Sequence, residues 1–247
     1  MANAVQVTVL GSGDAFGSGG RLNSSYLIES REATFIVDCG TTVLQGLKRS
    51  GIDPARIDFV CLSHLHGDHF GGVPFLFMDF LYESRRTRPI TIYGPPGTEQ
   101  RVCALFSALY QRQADEQMPY GVSIVELQAG TKTIQGVSLE TFAVPHVAEL
   151  VCYGFRIGVG GKTILYSGDT GWTDDFITRT KDADLFICEC STFETRLNIH
   201  VSYPEIATRA AALGCRRLLL SHLGAEPLRH RDQITLELAE DAMVLSV

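Results

Sequence analysis

Ser63-His64-Leu65-His66-Gly67-Asp68-His69 is the stretch on which the reading of this chain turns. Three of the seven histidines fall within six residues of one another, with an aspartate among them. A buried imidazole needs a partner for each ring nitrogen, so packing three together without a metal or counter-charge is costly. Ile57 to Leu62 ahead of the cluster is an apolar, strand-like run, so the histidines sit at a strand's C-terminal end. Along extended chain His64 and His66 share one side. Gly67 permits a sharp turn, after which Asp68 and His69 approach from the other side. One short loop can therefore feed two neighbouring metal positions with neutral imidazoles and a carboxylate. That ligand set suits Zn²⁺, and Mn²⁺ or Fe where oxygen donors contribute.

Three further strand ends offer donors of the same kind: Val144-Pro145-His146, Tyr166-Ser167-Gly168-Asp169-Thr170 and Leu220-Ser221-His222. Each is weak alone. As a set they matter, because converging strand ends in an α/β architecture form the usual ligand crevice.

Around these points the chain alternates strands and helices. Strands are expected at Val5 to Leu10, Ser25 to Ile28, Thr34 to Val37, Ile57 to Leu62 and Ile90 to Tyr93, then near Val122 to Leu127, Val137 to Val144, Tyr153 to Val159 and Thr163 to Tyr166. Leu185 to Glu189 and Arg217 to Ser221 complete the set. Helical spacing marks Thr41 to Ser50 and a helix of about five turns with Gly71 to Glu83 at its core. Further helices are expected at Thr98 to Tyr110 with Thr98 as its cap, shortly after Asp169, at Tyr203 to Leu213, and last at Ile234 to Ala242. No linker splits residues 1–247, which predicts a single domain. Two halves of similar order predict an αββα sandwich, two mixed β-sheets packed face to face with helices outside.

Composition narrows the function. The formal net charge is −7, which argues against a partner such as long nucleic acid, since that usually requires a basic surface. Arg85, Arg86 and Arg88 form the one compact basic run and read as a solvated helix end. Seven cysteines, an odd number with several inside apolar runs, suit reduced thiols in a cytoplasmic protein. No apolar run is long enough to span a membrane. Gly11-Ser12-Gly13 could cradle a phosphate, but the loop lacks the dinucleotide fingerprint and the P-loop lysine, so it reads as a tight loop at the site mouth.

His64, His66, Asp68 and His69, followed by His146, Asp169 and His222, resemble the metallo-β-lactamase superfamily of hydrolases over nearly the whole chain. The resemblance implies that His64, His66 and His146 hold one metal and that Asp68, His69 and His222 hold the other, with Asp169 bridging them. Asp38, at the end of Phe35-Ile36-Val37, matches the first acidic motif of the family and would orient ligands from behind. Tyr93-Gly94-Pro95-Pro96-Gly97 and His200 are similar to features of the ribonuclease Z-like phosphodiesterase branch, although Val201-Ser202-Tyr203 departs from the stretch that usually follows that histidine. The tRNA-processing members resemble one another in a long arm between the third histidine motif and the bridging aspartate. Here a plain strand-turn-strand joins His146 to Asp169.

The expectation is thus a binuclear metal-dependent hydrolase acting on a small phosphodiester such as a cyclic nucleotide. Two divalent ions, zinc foremost with manganese or iron as alternatives, would share a bridging hydroxide. Asp68 would accept the water's proton and His200 would protonate the leaving oxygen. The competing readings are a carboxylic-ester, lactone or thioester hydrolase, a ribonuclease Z-like RNA endonuclease, and a non-catalytic metal-binding sensor. The apolar stretch Phe75 to Leu81 suggests core packing together with a homodimer face.

Overall fold

The computed structural model describes residues 5–111 and 118–247. Its strands in chain order are β1 (Gln6–Gly11), β2 (Ser25–Glu29), β3 (Thr34–Val37), β4 (Phe59–Cys61), β5 (Ile90–Gly94), β6 (Val122–Glu126) and β7 (Gly130–Ile134). They continue as β8 (Val137–Ala143), β9 (Tyr153–Val159), β10 (Lys162–Tyr166), β11 (Leu185–Glu189), β12 (Leu218–Ser221), β13 (Glu237–Leu238) and β14 (Val244–Ser246). Two seven-stranded sheets result, ordered β14-β1-β2-β3-β4-β5-β6 and β13-β12-β11-β10-β9-β8-β7. In each sheet antiparallel pairs give way to parallel ones, at β3–β4 in the first and β10–β11 in the second. The two halves therefore repeat one plan, and only β14 crosses back to pair with β1.

Period-two alternation builds the four layers. Phe35, Val37, Phe59 and Cys61 of the first sheet meet Ile157, Ile164, Leu185 and Ile187 of the second in a shared core. The residues between them point the other way. Ile36 and Val60 pack beneath Leu47, Phe77 and Val102 of the first helical layer, and Phe186 and Cys188 beneath Phe176 and Ile206 of the second. The expected αββα sandwich is the observed fold.

Several elements differ from expectation, each for a physical reason. The helix after the histidine cluster is split into Gly67–Phe70 and Val73–Tyr82. The break lies at Gly71-Gly72, where a Cβ on Gly72 would stand 2.1 Å from the Gly40 carbonyl oxygen. Leu76, Phe77 and Phe80 of the apolar stretch are fully buried, and Phe75 alone of its aromatics is exposed. Thr98 does not cap its helix. Gly97 occupies that position at φ 90, and Glu126 accepts its N–H at 2.9 Å. Strand β7 escapes the sequence reading because Thr131, Lys132 and Thr133 are polar on both faces of an exposed strand.

The helix expected over Ile234 to Ala242 is absent. Ile234-x-Leu236-x-Leu238 alternates with period two, and the segment forms β13 on the edge of β12. Arg86 is likewise no solvated residue. It is buried and donates to the carbonyls of Ala55, Arg88 and Pro89, with its guanidinium 4.9 Å from the Phe80 ring.

Candidate metal centre and cleft

Six strand ends deliver the functional side chains to one edge of the sandwich. β3 ends just before Asp38, β4 just before the Ser63–His69 loop, β8 shortly before His146, β10 shortly before Asp169, β11 at Glu189 and β12 just before His222. Gly168 has φ 60, and a Cβ there would lie 2.5 Å from the Tyr153 carbonyl oxygen, so the turn that aims Asp169 inward requires glycine.

The seven expected ligands come together as two sets. In one, Nδ1 of His66 lies 3.1 Å from Nε2 of His64 and 3.2 Å from Nε2 of His146, with Asp169 completing the group. In the other, Nε2 of His69 lies 3.3 Å from Asp68 and 3.2 Å from Asp169, and Nε2 of His222 lies 3.4 Å and 3.3 Å from the same carboxylates. Asp169 belongs to both sets.

The far ring nitrogens of His64, His69, His146 and His222 are tied. Nδ1 of His146 donates to the Ile199 carbonyl at 2.8 Å and Nδ1 of His69 to Asp38 at 2.7 Å. Ser63 donates to Asp38 and accepts from Nδ1 of His64, and Ser191 donates to Glu189 and accepts from Nδ1 of His222. Each arrangement fixes the tautomer that turns the Nε2 lone pair toward the centre. Asp38 stands behind the candidate ligands and caps no helix: it accepts from Ser63 N–H, Ser63 Oγ, His69 Nδ1 and Tyr166 Oη.

The donor set fits divalent cations. His69 Nε2 and Asp169 Oδ1 are buried without any hydrogen bond, although an orphaned buried polar atom costs about 1–3 kcal/mol. Electrostatics point the same way. Burial, with neighbouring histidines, holds His64 well below the ordinary imidazole range, as a neutral donor. Burial opposes charge on His222 too, yet Asp169 and Asp68 push it up to about 9. The paired carboxylates draw positive charge to this spot, which bound cations would supply.

His200 also reaches the site, its ring centroid 5.0 Å from that of His146 and 5.6 Å from that of His222. Its Nδ1 donates to Glu189 at 2.8 Å, and despite burial this bond raises its affinity for a proton. Glu189, Ser191 and Tyr166 are the partners that sequence reasoning missed. The available signal was an acid ending the otherwise apolar run Leu185-Phe186-Ile187-Cys188.

A cleft of about 820 Å³ opens over Asp68, Asp169, His200 and His222. The glycine-rich loop forms its rim, with Phe16 standing 91% exposed. The loop is no phosphate cradle. Asp14 already accepts from the amides of Phe16 and Ser18 and from the Ser18 hydroxyl. Between His146 and Asp169 the chain forms only the hairpin β9–β10, turning at Gly160-Gly161, and no arm projects. No described helix is long and apolar enough to cross a membrane.

Comparison with known proteins agrees with this geometry. The model of the family described as anti-Pycsar protein Apyc1 matches residues 5–241. A probable metallo-hydrolase, YhfI of Bacillus subtilis, is 32% identical over 228 residues, covering 89% of this chain and 87% of that protein. The crystal structure of YhfI, a metallo-beta-lactamase fold protein, matches with a TM-score of 0.79 over 99% of this chain and 100% of that one, at 25% identity. Human tRNase Z, short form, matches with a TM-score of 0.78 at 25% identity over 98% of this chain and 99% of its own. The chain belongs to the anti-Pycsar protein Apyc1 family and is a metal-dependent hydrolase of the metallo-β-lactamase fold.

Proposed function

We propose that this hydrolase is a binuclear phosphodiesterase acting on a small phosphodiester, with a cyclic nucleotide as the type of substrate. The observation that carries the reading is the pair of donor sets sharing Asp169 at the floor of an open cleft. His64, His66, His146 and Asp169 would hold one ion; Asp68, His69, His222 and Asp169 would hold the other. Zinc suits this imidazole-rich set, and manganese or iron suits its oxygen donors. When bound, the ions supply Lewis-acid neutralisation of phosphoryl charge and acidify water.

The chain's own residues supply the proton chemistry. Asp68 is the ligand carboxylate at the cleft surface, 10% exposed. Burial favours its protonation, but His69 and a hydrogen bond from His222 outweigh this and keep it ionised, able to take a proton from water. His200, held through Nδ1 by Glu189, offers Nε2 as donor to the departing oxygen.

The likeness to human tRNase Z supports phosphodiester chemistry, and the short β9–β10 hairpin with the net charge of −7 favours a small substrate over tRNA. The seven free thiols suit a reducing compartment such as the cytoplasm. Side-by-side assay of metal-loaded protein on a cyclic nucleotide, bis(p-nitrophenyl) phosphate, a lactone, a thioester and a tRNA precursor tests the reading. Turnover of the first two supports it. Preference for the lactone or thioester, for the tRNA precursor, or for none of the panel replaces it with an acyl hydrolase, an RNA endonuclease or a sensor respectively.

A further inference from the structure

We infer that Tyr26 and Tyr166 form a cross-brace between the two sheets that positions His222 and His69, and so sets metal affinity selectively at the Asp68–His69–Asp169–His222 position. This rests on the two-position reading above. Both phenols are buried between the sheets, their ring centroids 5.2 Å apart. They reach across in opposite directions. Tyr166 leaves β10 of the second sheet and donates to Asp38, beyond β3 of the first, at 2.6 Å. The same Asp38 oxygen accepts from Nδ1 of His69 at 2.7 Å. Tyr26 leaves β2 of the first sheet and donates at 2.7 Å to Ser221, the last residue of β12 in the second. The next residue is His222.

A second observation marks the same two places. Asp38 and His222 have φ of 57 and 53, a left-handed conformation rare for residues other than glycine. Such backbone costs about 1–3 kcal/mol and persists only where its surroundings over-determine it. Each strained residue lies at the far end of one tyrosine's hydrogen bond or next to it. The rings so held, His69 and His222, stack at 5.4 Å and belong to one donor set.

The His64–His66–His146 position depends on the brace less directly. His146 is oriented by the Ile199 carbonyl. His64 is reached one step further on, through Ser63, whose N–H keeps a separate bond to Asp38 Oδ1. Partners of this kind, standing behind the ligands, typically shift metal affinity 10- to 100-fold. The brace should therefore act on one position and spare the other.

Calorimetric titration of metal-stripped protein with Zn²⁺ tests this without reference to turnover. In a His146→Ala background the remaining equivalent reports the second position, and Tyr166→Phe or Tyr26→Phe should weaken it by about 10- to 100-fold. In an Asp68→Ala background the remaining equivalent reports the first position and should hold within about twofold. Tyr120→Phe is the control. It removes a buried phenol that donates to the Phe77 carbonyl at 2.9 Å, in the helical layer, and should lower thermal stability while moving neither constant. If a tyrosine variant does not fold, Ser221→Ala tests the brace from its other end with both rings retained. Equal weakening of both positions, no weakening of either, or the same effect from Tyr120→Phe overturns the proposal. Wild-type protein that takes up fewer than two equivalents overturns the two-position reading itself, and the brace with it.

Discussion

Nδ1 of His200 donates to Oε1 of Glu189 at 2.8 Å, and Oε2 of the same carboxylate reaches His222 through the Ser191 hydroxyl. One buried acid thus holds both a candidate proton donor and a candidate metal ligand. His200→Ala should retain two metals yet lose turnover on an alkoxide leaving group by about 10²–10⁴-fold, the usual worth of a general acid. Loss should be far smaller with p-nitrophenolate, which departs without protonation. Equal loss on both esters would remove His200 from the proton transfer.

Glu189→Gln keeps the shape of that contact and removes its charge. It should shift the alkaline limb of the kcat–pH profile, where the general acid loses its proton, to lower pH, because Glu189 favours the protonated imidazole of His200. A pH–rate profile measured on the alkoxide ester checks this, and an unmoved limb contradicts it.

Buried Arg86 ties two loops together by donating to the carbonyls of Ala55, Arg88 and Pro89. Arg86→Ala should destabilise the fold by about 1–3 kcal/mol, in the range for removing a buried side chain together with its hydrogen bonds. Lysine should rescue little, since it lacks the planar fork. Denaturant unfolding measures the loss. Metal content should be unchanged in the folded protein.

Glu226 accepts from the amides of Phe193, Glu194 and Thr195 and from the Thr195 hydroxyl, and these bonds hold its carboxyl down to about 2. A depressed carboxylate stabilises above its ordinary range and stops doing so as pH falls through the folded value. Hydrogen exchange at those three amides should therefore lose protection as pH drops from about 5 toward 2. In Glu226→Gln they should be poorly protected at every pH. A wild-type loop with no pH dependence refutes the assignment.

Phe75, Tyr82 and Leu109 are exposed on neighbouring helices, Val73–Tyr82 and Thr98–Tyr110. The homodimer expected from the sequence would cover them. Light scattering should give twice the 27.0 kDa chain mass, and Phe75→Lys should shift the mass toward monomer. A wild-type monomer ends that expectation.

The fold and the candidate ligands that the structure brings together were legible because their signals are local. Phe35-Ile36-Val37 and Leu185-Phe186-Ile187 announce strands by composition, and His64, His66, Asp68 and His69 announce chemistry by spacing. What stayed hidden depends on tertiary partners. Nothing in Arg85-Arg86-Thr87-Arg88 says that Arg86 is buried against three carbonyls. Tyr26 and Tyr166 look like ordinary strand residues until the two sheets face each other. At the C-terminus, apolar residues compatible with a helix were claimed by the free edges of β12 and β1. Glu189 lay inside a correctly read strand, and its role depends on Ser191 and His200 arriving from outside it.

The most direct test of the central claim is hydrolysis of a cyclic nucleotide before and after complete metal removal. Metal analysis should find two equivalents in the active protein. A chelator should abolish turnover, and Zn²⁺ or Mn²⁺ should restore it in step with occupancy. Turnover that survives complete removal of the metal would contradict the account.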